Sequence, residues 1–142
     1  DLIEARLIIE PVMAALAAQR REPGLNDELM RIVEDHRAAG SDAEWIATTQ
    51  AFHSTVCRMS ANPLLNLLAL SLKDIYTDRV TSSVFPPEVR TQVIETHEAI
   101  AQAIVAGDDK RAQTLMHDHM KALAESFERH NPGLMHEIVD WG

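Results

Sequence analysis

Apolar residues in this chain recur almost everywhere at spacings of three and four, not two. That period puts their side chains on shared helical faces and leaves no alternating segment to form a sheet. Glycine is scarce, at five in 142 residues, so the stops between helices can be read one by one. The first helix is expected from about Leu2 to Arg20, with Leu2, Ile3, Ile9, Val12, Met13, Leu16 and Ala17 covering most of its circumference. Such coverage predicts burial on more than one side. Pro23-Gly24 breaks the chain before a second helix, about Leu25 to Ala39, which Gly40 ends.

Ser41-Asp42-Ala43-Glu44 has the form of a capping box and opens a third helix ending near Met59. Asn62-Pro63 reads as an N-cap followed by proline at the first helical position, starting a leucine-rich helix to about Val80. Thr81-Ser82-Ser83 and Pro86-Pro87 mark the longest loop. The fifth helix runs from about Glu88 to Ala106, stopped by Gly107, and the sixth from about Asp109 to Arg129. The tail from Leu134 to Gly142 has room for one short helix more. The expected fold is all-α, an antiparallel bundle of six to seven helices, with residues 1–142 as a single domain.

Thirteen Lys+Arg against 22 Asp+Glu give a net charge of -9, which argues against this piece gripping nucleic acid. One cysteine, Cys57, excludes an internal disulfide framework and fits a reducing, cytoplasmic setting. No apolar run approaches the ~18–20 residues of a membrane span. The first residues lack the pattern of a signal peptide, and the missing initiator methionine points to a processed or excised chain.

The informative positions are polar ones inside apolar stripes. His97 lies among Val93, Ile100, Ala101 and Ile104; His119 among Ala112, Leu115, Met116, Leu123 and Phe127; His53 among Ile46, Thr49 and Val56. Either each inward imidazole finds its own buried partner, or one shared metal ion uses all three lone pairs. Arg6 shares a stripe with Ile3, Ile9 and Met13, so it meets an acid or serves as a fork-shaped receptor for a ligand carboxylate. Arg79 follows Leu72, Ile75 and Tyr76 in the same way, at a helix end where it can also serve the dipole. His36, His117, His130 and His136 read as structural or solvated, and Cys57 as a buried structural thiol.

No phosphate-cradling loop, Gly-x-Ser-x-Gly elbow or His-Glu-x-x-His occurs, and no inward Glu or Asp is expected near the histidines. The chain is therefore expected not to be an enzyme. A metal-dependent enzyme and a metal-free dimerisation domain stand as the alternatives.

Arg6-Leu7-Ile8-Ile9-Glu10-Pro11 with Ala17-Ala18, then Phe52-His53 with Ala61-Asn62-Pro63-Leu64-Leu65, then His97-Glu98-Ala99-Ile100, Gly107-Asp108 and His119-Met120 form an ordered set. Over about Asp1 to Phe127 it resembles the effector-binding FCD domain of FadR-type GntR transcription regulators. The resemblance implies a bundle of six or seven helices that binds a small carboxylate effector and forms a homodimer. It implies a divalent metal, zinc or nickel, held by His53, His97 and His119. The family's aspartate ligand falls at Thr49, a neutral hydroxyl. Arg6, Arg79, Asn62, Thr49 and Gln50 are the expected effector contacts. DNA would be reached only through a winged helix-turn-helix domain that this chain lacks.

Overall fold

Several helix ends lie where the sequence supplies the hydrogen bonds. Ser41 Oγ accepts from the Glu44 N–H at 3.2 Å, and Glu44 Oε2 accepts from the Ser41 N–H at 3.1 Å. Asn62 Oδ1 accepts from the N–H groups of Leu64 and Leu65. Gly107 sits at φ 74°; its N–H bonds to the Ile104 carbonyl and the Asp108 N–H to that of Ala103, the paired closure typical of a helix ending on a left-handed residue. Asp108 Oδ1 then caps the next helix through the Arg111 N–H.

The computed structural model describes residues 2–80 and 85–130, without the side chains of residues 2, 73–80, 127 and 130. The order is α1 (Leu2–Arg20), α2 (Pro23–Ala38), α3 (Asp42–Met59), α4 (Pro63–Val80), α5 (Pro87–Ala106) and α6 (Asp109–His130). Among the described residues there is no strand. Pro23 and Gly24 do not precede α2 but form its first turn. A proline there loses no helical hydrogen bond, and the reversal falls instead on Arg21, at φ 49°. The expected Thr81–Ser83 loop and the tail helix lie outside the described residues.

α1 runs along α6 and also touches α3, α4 and α5. Gln19, near its end, bonds Asp109 at the start of α6, so the two are antiparallel. α2 and α3 are antiparallel too: Glu28 pairs with Arg58, and His36 with Thr49. Ala14, Ala17 and Ala18 let α1 approach closely, and Phe52, Met59, Ile100, Ile104, Met116 and Met120 fill the centre. Burial of α1 is less complete than its composition predicts: Ile3, Met13 and Ala17 are buried, but Ile8 is 66% and Val12 43% exposed. α4 likewise shows Leu64, Leu67 and Leu68 to solvent. No described helix is long and apolar enough to cross a membrane.

Candidate functional site

The inward histidines of α3, α5 and α6 converge. One ring nitrogen from each of His53, His97 and His119 lies within 4.8 Å of the other two. His97 Nε2 and His119 Nε2 are 3.2 Å apart. His97 is fully buried and stacks on Phe52, centroids 3.9 Å apart and planes within 9°. Burial and the positive charge that His53 can carry push His119 down to about 3. Burial, then His119 and His53, hold His97 well below the ordinary histidine range. Both are neutral at physiological pH, the form that binds metal.

Two further groups back the cluster. Glu10 on α1 is buried, with Oε1 2.5 Å from Arg6 Nε and Oε2 2.5 Å from His53 Nδ1. This corrects the expectation that no inward acid stands near the histidines. The signal was present: Glu10 is four residues after Arg6 and three before Met13, on the same stripe. Arg6 thus meets an acid, one of the two outcomes expected for it. Behind His97 lies His36 on α2, 1% exposed, its Nδ1 3.3 Å from His97 Nδ1 and its Nε2 3.0 Å from Thr49 Oγ1. Burial pushes His36 down to about 4, helped by His53.

A cavity of about 80 Å³ adjoins the cluster. Arg6, Thr49, Gln50, His53 and His119 line it, between apolar walls that include Trp45 and Phe85. Asn62 does not line it and caps α4 instead. The side chain of Arg79 is outside the described residues. Cys57 borders the cavity, directs its Sγ at Asn66 Oδ1 (3.2 Å), and is pushed up to about 11 by burial and Glu10. Both keep it in the protonated thiol form.

The donor set fits a borderline metal. Ligands on a tetrahedral ion at Zn–N ≈ 2.0–2.1 Å sit roughly 3.3 Å apart, close to the 3.2 Å between His97 and His119. A separation at the 4.8 Å limit of the cluster must close by about 1.5 Å to match. The other nitrogen of His53 is tied to a carboxylate and that of His97 to a second imidazole, the outer contacts that orient metal-binding histidines.

The family profile described as the FCD domain matches residues 1–122. Among curated proteins, the chain is 29% identical over 133 residues to the putative L-lactate dehydrogenase operon regulatory protein of Escherichia coli (strain K12), covering 91% of this chain and 51% of that one. It is 26% identical over 137 residues to the Glc operon transcriptional activator of the same strain, covering 89% and 54%. The chain thus spans about half the length of these relatives. Among solved structures, Streptococcus agalactiae GntR superposes with a TM-score of 0.76 at 25% identity, covering 89% of this chain and 57% of that one. E. coli McbR/YncC does so with a TM-score of 0.76 at 20% identity, covering 92% and 64%, and shows the fold.

Proposed function

The chain belongs to the FCD domain family, and on that premise we propose that it is the ligand-sensing domain of a cytoplasmic transcription regulator whose small carboxylate effector binds beside a divalent metal, zinc or nickel, held by His53, His97 and His119. The observation that carries this is the meeting of three histidines from three helices, two of which, His53 and His119, line one cavity. A bound divalent ion would supply a positive charge to which a carboxylate oxygen coordinates. Three neutral imidazoles leave that charge uncancelled, and Glu10, the one carboxylate among the described residues that line the cavity, is matched by Arg6. The site then favours an anion.

At about 80 Å³, the cavity has room for a small organic acid, since a single water needs only ~10–15 Å³. One relative is named for an L-lactate dehydrogenase operon, so two- to four-carbon hydroxy acids come first in a screen. Arg6 and Gln50 line the cavity and would orient the acid; Thr49 lines it too, with its hydroxyl held by the Trp45 carbonyl and His36. The relatives are regulators, not enzymes, which favours binding over turnover. Contact with DNA would come through a domain outside this chain. Ile8 and Val12 on α1 and Leu64, Leu67 and Leu68 on α4 expose apolar surface on two touching helices, which supports a homodimer.

Elemental mass spectrometry of protein purified without chelator tests the metal, beside a His97→Ala control. About one zinc or nickel per chain, lost in the control, is expected. Calorimetry with hydroxy acids, before and after chelation, tests the effector. No metal after soaking with zinc and nickel would overturn the three-histidine site.

A further inference from the structure

We infer that His36 is a positioning residue: it takes the Nδ1 proton of His97 in a hydrogen bond and so leaves the His97 Nε2 lone pair facing the metal position, with Thr49 fixing His36 in turn. This rests on the metal-site reading above.

The direction of every hydrogen bond follows from counting protons. Thr49 Oγ1 lies 2.8 Å from the Trp45 carbonyl oxygen, one turn back in α3. A carbonyl can only accept, so the single hydroxyl proton of Thr49 goes there. His36 Nε2, 3.0 Å from the same Oγ1, must then donate. A neutral imidazole carries one N–H, so His36 Nδ1 is an acceptor. The group facing it at 3.3 Å is His97 Nδ1, which therefore holds the His97 proton. That leaves His97 Nε2 bare, and it is this nitrogen that points at His119 Nε2. With no metal bound, His119 Nε2–H donates to it.

The chain of bonds runs from the α3 backbone through α2 to α5, and its members have little room to turn. His36 is 1% exposed and lies 5.4 Å from the Trp45 ring; His97 is sandwiched against Phe52. Reversing the order would place a proton on the nitrogen that must bind metal. Threonine at position 49, where the resemblance expects a ligating aspartate, is in this arrangement a directing group, not a gap in the ligand shell.

Long-range proton–nitrogen NMR on labelled, metal-free wild-type protein reads the tautomers directly. Nδ1–H on His97 and Nε2–H on His36 are expected; Nε2–H on His97 would overturn the inference. Chelator competition with zinc then compares variants. His36→Leu is expected to weaken zinc about 10–100-fold. His36→Gln, whose amide can accept from His97 and donate to Thr49, stays close to wild type, and Thr49→Val shows a smaller loss. A folded His36→Leu that binds zinc like wild type would overturn it. Should His36→Leu fail to fold, His36→Gln and Thr49→Val with the same NMR readout carry the test. Should wild type take no metal, the metal reading fails, while the metal-free NMR still decides the proton order.

Discussion

Glu10 Oε2 on α1 accepts from His53 Nδ1 on α3 at 2.5 Å, while its Oε1 holds Arg6 Nε. Burial pushes the Glu10 carboxyl up, but Arg6 and His53 outweigh it and hold Glu10 well below the usual carboxylate range. One buried carboxylate thus neutralises a buried guanidinium and aims a candidate ligand. Glu10→Gln keeps the shape and removes the charge, leaving Arg6 without its carboxylate. A loss of about 3 kcal/mol is expected in urea unfolding. Glu28→Gln, whose partner Arg58 is at the surface, should stay within about 1 kcal/mol.

Acid should unfold the metal-free protein through its histidines. His36 and His119 titrate at about 4 and about 3 when folded, and His97 lower than its ordinary value. In the unfolded chain all three take protons near pH 6.5. Below that value the unfolded state binds more protons, so stability falls as pH falls. It is fully present above about pH 6.5 and should decline toward pH 4 with a slope of up to about 4 kcal/mol per unit, three protons' worth. Glu10, depressed as well, adds to the loss below its unfolded value of about 4.3. Urea titrations in chelator from pH 7.5 to 4.5 check this. A flat profile would show that the three rings are not held neutral.

The exposed leucines of α4 predict a dissociable dimer. Leu64→Glu with Leu67→Glu should raise the dissociation constant at least about 30-fold, the effect of about 2 kcal/mol at an interface centre. Sedimentation equilibrium measures it. Val105→Glu, exposed on α5, should change nothing.

Two glycines should respond oppositely to alanine. At Gly107, φ 74°, a new Cβ would sit about 2 Å from the Arg21 guanidinium, which reaches the Ala106 carbonyl beside it. Gly107→Ala should cost more than about 1 kcal/mol, lowering Tm by about 4 °C. Gly24, inside α2 with nothing within 4 Å of an added Cβ, should gain about 0.4–1 kcal/mol as alanine. Calorimetric melting compares the two.

Caps and stops were legible because each is a local contract: Ser41 with Glu44, Asn62 with Pro63, Gly107 with Asp108. The three candidate ligands were legible because apolar residues share their stripes: Ile100 and Ile104 with His97, Met116 and Leu123 with His119, Ile46 and Val56 with His53. Glu10 carried the signal of sharing the Arg6–Met13 stripe, but a carboxylate four residues after an arginine looks the same whether the pair faces water or a neighbouring helix. Only the packing of α1 against α3 decides that. His36 was hidden for a related reason: near a helix end, three residues after Val33, its depth depends on Trp45 and His97 arriving from elsewhere. Ile8 and Val12 show the converse, apolar residues that α1 leaves uncovered.

The contacts behind the histidine cluster join distant parts of the chain. Glu10 and His53 are 43 residues apart, and His36 and His97 are 61. Closing loops of that length comes late in folding, after local helices and their nearest pairings have formed. Energy gained at the cluster is then absent from the folding transition state, so it slows unfolding and leaves the folding rate alone. An occupied site would lengthen the lifetime of the closed bundle, and the persistence of the sensing state would be set by a rate of opening.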